Sequence, residues 1–358
     1  MEPEIALSVL DQSPVPDGST GSAALRDTVA LAREADRLGY RRYWLAEHHN
    51  TASLAGTAPE VLAAHVASET SAIRVGAGGI LLTHYSPLKV AETFRVLHGL
   101  FPGRVDLGLG RADGADARTV AALQHQSGTV GEDEYADRVA DLIGFLEGTT
   151  GDDHRFAGVR ALPTGPGTPE VWVLGSSSYG ATLAARMGLR FSFARFVSPK
   201  FGPQILSAYR REFRPSPGCP EPTASLGVSV ICADTDAEAE RLAVSQDVWH
   251  LRPEGAGRGP LLSVEDAEAY PVTELDRELL GQYRERRVVG AADRVHAALV
   301  DLTATYEVDE LVVYTVCHDP AARLRSYQLL AEAFGLAPMI SEHEPLSHRG
   351  SEEGPARQ

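Results

Sequence analysis

The feature that most limits the folds open to this chain is a dense alternation of short apolar runs with helix-patterned segments. Four apolar runs fall within the first 110 residues, at 5–10, 41–46, 73–82 and 103–110. Between them, at 23–38, 59–70 and 87–100, apolar residues recur at helical spacing. Gly39 closes the first of these segments, and Pro59 and Pro87 open the other two, as helix ends and starts require. The alternation continues with runs at 170–175, 189–193, 225–232 and 310–314. Helical segments fall at 133–146, 178–187, 199–213, 236–250, from about 291, and at 320–334. Such alternation implies parallel strands joined by right-handed crossovers. Eight strands with their helices predict a (β/α)8 TIM barrel with insertions; an open doubly wound sheet is the alternative. The 358 residues suit one such domain over 1–340, with an irregular insertion at about 251–287 and a polar, flexible tail at 341–358.

Charge and cysteine usage remove several partner classes. The formal net charge of -16 argues against nucleic acid and against an anionic membrane surface, both of which need a basic face. No run of 18 apolar residues is present, and the first residues lack a signal-like apolar stretch. Cys219, Cys232 and Cys317 form no CxxC pair or metal-ligand spacing. These features predict a reduced, cytoplasmic protein.

In a parallel barrel the chemistry sits where strands end. The second strand runs Arg42-Tyr-Trp-Leu-Ala and ends in Glu47, His48 and His49. Alternation along an extended chain puts Glu47 and His49 on one face and His48 on the other. That weakens a three-ligand metal reading, and the other strand ends offer glycine, serine and arginine, so no metal is expected. Glu47 orienting a histidine for structural reasons competes with a catalytic role. The third strand contains Gly76-Ala77-Gly78-Gly79, glycines that mark a bulge or a close approach of backbone to ligand; tight packing inside a barrel competes. Gly110 and Arg111 end the fourth strand, and Gly175-Ser176-Ser177 join the fifth to its helix. An arginine fork beside a helix N-terminus suits a phosphate, although Ser177 or Ser178 as a plain N-cap competes. With the glycine backbone against a flat ring, the outline is that of a flavin mononucleotide site, though spacing alone does not name flavin. The loop 111–132 leaves a strand end and would cover this face, and 148–169 would lie at the opposite end. Simple topology does not place 251–287.

Several stretches together resemble the luciferase-like flavin-dependent monooxygenases, and most closely their group 1 oxidoreductases. They are Trp44-Leu-Ala-Glu-His-His-Asn50, 73–82, Ser86-Pro-Leu-Lys-Val-Ala-Glu92, 101–112, Val173-Leu-Gly-Ser-Ser177 and 323–332. The resemblance runs from Ser8 to about Phe334. It implies a barrel that binds reduced FMN at its C-terminal face, with a strained, often cis, peptide at Gly78–Gly79 under the ring. It implies that Ala77, Gly78, Gly79 and Gly110 line the cofactor and that Arg111, Gly175, Ser176 and Ser177 hold its phosphate. His48, with Glu47 and His49, would serve the chemistry: FMNH2 from a separate NAD(P)H:flavin reductase reacts with O2 to a C4a-peroxide that oxygenates an organic substrate. His48, with a pKa near working pH, would act there as acid or base. A homodimer through 59–70 and 87–100 is also implied.

Two departures from the family pattern stand out. Asp113 occupies a position that is proline in close relatives, so it either faces the substrate or lowers phosphate affinity. Arg195 and Phe196 end the sixth strand, where small polar residues are usual, and would reshape the substrate pocket. Alternatives are an F420-dependent oxidoreductase, a non-catalytic FMN-binding or FMN-sequestering protein, and a metal hydrolase.

Overall fold

The computed structural model describes residues 5–124, 131–252 and 258–338. Its strands are β1 (Ala6–Asp11), β2 (Arg42–Leu45), β3 (Arg74–Leu81), β4 (Val105–Gly110), β5 (Glu170–Gly175), β6 (Arg190–Ala194), β7 (Ala224–Ala233), β8 (Arg287–Ala291) and β9 (Glu310–Tyr314). All pairings between them are parallel. β1 to β7 pair in chain order, and β9 closes the ring between β7 and β1. Eight strands thus form a closed (β/α)8 barrel, with β8 an additional strand on β7.

Local chemistry sets the crossovers. The helix Gly21–Leu38 is capped by Thr20, whose hydroxyl accepts from the Ala23 N–H, and stops at Gly39 with φ of 90°. It buries Ala24, Val29, Ala32 and Ala35, one face at helical spacing, against the outside of the barrel. Pro59 and Pro87 begin the next two helices.

The barrel interior has two storeys. Alternation along β2 sends Tyr43 and Leu45 outward to the helices and Arg42 and Trp44 inward. Arg42 is buried, yet it bonds Glu310 at 2.7 Å, Asp106 at 2.9 Å and Glu170 at 2.9 Å, on β9, β4 and β5. Arg74 shares Asp106, and Ser8 of β1 donates to Glu310 at 2.6 Å. Burial alone would raise Asp106, but Arg42 and Arg74 hold its carboxyl below the usual range. One storey up, the Trp44 indole donates to Asp106 and meets Trp172 edge to face at 5.3 Å. Leu10 and Val312 complete this layer.

The insertion differs from expectation. Ser229 of β7 pairs with Tyr314, the last residue of β9, and on its other edge with Arg287 of β8. β7 therefore runs on past β9 through Ala233, four residues or roughly 13 Å above the barrel. The helix Asp236–Leu251 turns back from there and packs on the upper half of β7 and on β8. It is not the crossover between β7 and β9. That crossover is Ala292–Tyr306. The segment expected to be irregular carries short helices at Val264–Glu268 and Glu274–Arg284 and then β8. Leu261 pairs with Pro16 in the loop after β1, so the insertion lies across the C-terminal mouth. The tail expected at 341–358 lies outside the described residues. Among those described, no helix is long and apolar enough to cross a membrane.

Arg42→Met would remove the one cation that Asp106, Glu170 and Glu310 share, leaving them the more peripheral Arg74, Arg190 and Arg41. The expected outcome is a loss of about 3–5 kcal/mol, read as a lower urea midpoint at pH 7. A midpoint within error of wild type would mean the network contributes nothing net.

Candidate active site

Glu47 does not face the mouth. It is buried, and its Oε1 accepts from Tyr85 Oη at 2.7 Å and meets His49 Nε2 at 2.8 Å. Its Oε2 accepts the Leu81 N–H at 2.9 Å. Glu47 therefore ties the end of β3 to His49, and it orients His49 and not His48. Strand alternation puts His48 on the opposite side. Its backbone N–H is bonded to Gly56 O at 2.9 Å, while its buried Nδ1 has no partner among the described residues. Both histidines line a cavity of about 650 Å³. Burial pushes the His48 imidazole down to about 4, with His49 and Arg258 adding to the shift and Glu47 opposing it. The ring is thus neutral at working pH, where the sequence predicts one poised to titrate.

The glycines of β3 satisfy two demands at once. The Gly78–Gly79 peptide is cis, and the register against β4 shifts between Ala77 and Ile80, as a bulge would do. A Cβ on Gly78 would lie 2.7 Å from Trp44 Cβ, and one on Gly79 2.7 Å from Gly108 O. Packing alone therefore requires glycine at both positions. Yet these two residues are half-buried between fully buried neighbours, so their backbone faces the mouth. The Ala77 side chain is buried in the outer core and offers only its backbone.

Beyond β4, Arg111 bonds Glu132 at 2.5 Å, and its guanidinium lies 4.5 Å from the Tyr179 ring centroid. Tyr179 is the second residue of the helix Ser178–Met187, so Arg111 and the Gly175–Ser176–Ser177 turn stand side by side. Ser177 occupies the N-cap position, but its side chain accepts no cap hydrogen bond. Gly110 and Gly175 are half-buried, and a Cβ on Gly175 would meet nothing within 4 Å. This group forms the rim beside the cavity and is not part of its lining. Asp113 does line the cavity, and its carbonyl meets His84 Nε2 at 2.9 Å. Phe196 lines it too. Arg195 instead bonds the carbonyls of Glu285 and Arg286, both at 3.0 Å, and holds the insertion down.

Several lining residues escape sequence reasoning, among them Gln12, Gln246, Trp249, His250, Tyr283 and Arg286. Most arrive because β7 overshoots and its helix descends on the mouth. The ten residues of β7 exceed every other strand, but the apolar run read at 225–232 is shorter than that at 73–82, so run length alone carried no signal. The segment 111–124, expected as loop but ending in the helix Ala117–Gln124, is pinned over the same mouth by Asn50, which donates to Asp116 at 3.0 Å and Thr119 at 2.9 Å, and by His49 N–H to Gly114 O at 3.1 Å. Among the described residues, no group of three or more His, Cys, Asp or Glu is placed to hold a metal ion.

Comparison with known proteins agrees with this architecture. The profile of the family described as luciferase-like monooxygenase matches residues 5–313. The protein YceB of Bacillus subtilis (strain 168) is 43% identical over 333 residues, 92% of this chain and 99% of that protein. The N-acetyl-S-alkylcysteine monooxygenase of the same organism is 35% identical over 330 residues, 92% and 98% of the two chains. The crystal structure of apo-MsnO8 superposes with a TM-score of 0.86 at 41% identity, covering 95% of this chain and 100% of that one. Two more distant structures share the fold alone. One is the FMN complex of the oxygenating constituent of 3,6-diketocamphane monooxygenase from Pseudomonas putida (19% identity, TM-score 0.67, 93% and 98% covered). The other is an F420-dependent secondary alcohol dehydrogenase (13%, 0.68, 92% and 99%).

His250 is also pushed down to about 4, by burial first and then by Arg258 and Arg287. Unfolded imidazoles titrate near 6.5. Between about 4 and 6.5 the unfolded chain binds the extra protons, so stability rises with pH across that window and falls as pH drops through it. Melting temperature measured from pH 4.5 to 7.5 should show this slope, and His48→Asn and His250→Asn should each flatten it. An unchanged slope in both variants would show that neither ring is held neutral.

Proposed function

The chain belongs to the luciferase-like monooxygenase family, and on that premise we propose that it is a flavin-dependent monooxygenase. It uses reduced FMN and O2 to oxygenate a small organic substrate held in the His48 cavity. The observation that carries this reading is the convergence on one rim of Arg111, the uncapped helix start at Ser177 and the half-exposed Gly78–Gly79 backbone, beside a histidine whose buried nitrogen has no partner among the described residues. The donor set fits the cofactor. Arg111 with Ser176, Ser177 and the first-turn N–H groups would hold its phosphate. Ala77–Gly79 and Gly110 would meet its ring system with backbone alone.

When bound, FMN supplies the electrons that activate O2. The protein supplies the surroundings. The segment 111–124 and the insertion over the mouth exclude water from the cavity. His48, held neutral by burial, accepts a proton or hydrogen bond from a group in the cavity instead of delivering charge into it. Tyr85 and Glu47 fix the His49 ring, which positions the turn that carries His48. Relatives named as monooxygenases favour this reading over F420 chemistry, because F420 does not sustain oxygen activation.

The same proposal includes partners. The chain carries no complete G-x-G-x-x-G nucleotide fingerprint, since Gly108 and Gly110 are followed by Asp113, which supports supply of FMNH2 by a separate NAD(P)H:flavin reductase. Exposed Val61 (66%), Val96 (47%) and Leu100 (62%) lie on the helices Pro59–Ser68 and Pro87–Leu100, which supports a homodimer through them. A cytoplasmic location agrees with three free, buried cysteines.

Two measurements test the reading. Reduced FMN with O2 and a candidate substrate should give substrate-dependent oxygen uptake. Hydride transfer from reduced F420 without oxygen uptake would replace it with the F420 chemistry, and tight FMN binding without any turnover would make the protein a flavin carrier. His48→Gln should bind FMN within about threefold of wild type yet lose 10²–10⁴-fold in turnover.

A further inference from the structure

The part of the cavity wall formed by the helix Asp236–Leu251 and the insertion carries charge that the flavin reading does not use. Four arginines, Arg258, Arg284, Arg286 and Arg287, gather around the end of the helix Asp236–Leu251 and the start of β8. A single carboxylate, Asp247, meets two of them. Its oxygens take Arg284 and Arg287, each at 2.6 Å. Arg286 is different. It donates to the Val197 carbonyl at 2.9 Å and lies 4.9 Å from the Tyr283 ring centroid, and it makes no ion pair among the described residues. Arg258 stacks over Trp249 at 4.5 Å.

Aromatic rings hold this wall rigid. His250 stacks on Tyr283 at 4.5 Å and 9°, and Trp249 meets His250 at 5.0 Å. The Trp249 residue is only 6% exposed, and its Nε1 donor has no hydrogen-bond partner among the described residues. A buried, unsatisfied donor is costly without an acceptor. Leu54, Phe196 and Tyr314 give the rest of the lining an apolar stretch, beside polar Gln12, Ser229 and Gln246, and the lining's own carboxylates, Asp113 and Asp116, lie on the separate segment 112–116. The positive field reaches across the cavity, since Arg258 depresses protonation of both His48 and His250. In a chain of net charge -16, such a cationic interior wall runs against the overall charge.

We infer that this wall binds the anionic end of the substrate, a carboxylate carried on an apolar body, with Arg286 and the Trp249 N–H as its donors. Arg286 presents a planar fork that matches a carboxylate, and the stacked rings pre-organise it. The apolar body then lies along Phe196 and Tyr314, toward His48. This inference rests on the cavity being the substrate chamber of the proposed monooxygenase, so its test avoids turnover altogether.

The probes are paired acids and amides, hexanoate to decanoate against the corresponding primary amides, with binding followed calorimetrically on the full chain without flavin. At least one acid should bind tenfold or more tightly than its amide, and added salt should narrow the gap. Arg286→Met should weaken that acid at least tenfold, leave its amide within twofold, and leave FMN affinity within twofold; Arg286→Lys should recover part of the loss. Equal affinity for acids and amides throughout the series, or no binding of either, overturns the inference. Equal losses for acid and amide in Arg286→Met would make Arg286 a structural residue. A large loss of FMN affinity in that variant would make the wall a cofactor phosphate site. Failure of oxygen uptake with reduced FMN would sink the monooxygenase reading and leave the acid preference standing, so the two failures are distinguishable.

Discussion

The barrel depends on one buried cation. Arg42 sits inside the ring at the start of β2 and is held by carboxylates from β4, β5 and β9, while Ser8 on β1 binds one of those same carboxylates. Charges so far from water are tolerated only when each has its partners in good geometry. The network therefore fixes which strands can be neighbours and at what height. It also places Trp44, two residues on, as the floor beneath the mouth. Trp44 and Leu10 then leave no space for a side chain at Gly78, so the half-exposed glycine backbone above follows from the packing below.

The upper face depends on the length of one strand. Most barrel strands stop near the mouth, but β7 continues for four residues after β9 has ended. The following helix cannot return along the outside, and it comes down over the opening with Gln246, Trp249 and His250 on its inner side. Leu261 and the loop after β1 pin the rest of the insertion in place. The result is a cavity with two unlike parts to its wall: a neutral histidine turn from β2, and stacked aromatics with arginines.

Much of this was legible in the sequence, for stated physical reasons. Strand–helix alternation implies a parallel barrel, and the strand C-termini of such a barrel carry the chemistry, so Glu47, His48, His49, Gly78, Gly79, Arg111 and Ser177 could be placed around one rim. Period-2 alternation separated Glu47 and His49 from His48, and the Glu47–His49 bond has that geometry. The neutral state of His48 was not legible, because it comes from burial by residues distant in the chain. The helix from about 291 that leads into β9 was legible, whereas the place of 236–251 was not, because only strand pairing shows that β7 overshoots β9 and that this helix packs on β7 and β8.

The sequence by itself determined the fold class, the family and which residues end the barrel strands, because hydrophobic period, caps and strand-end residues are local properties of the chain. Only the tertiary structure decided what surrounds those strand ends. Whether a histidine is charged, whether Ser177 caps its helix, and whether Arg286 has a counter-ion depend on which distant groups are brought within a few ångströms. Burial and Coulomb interaction act through space, and they take no account of sequence separation.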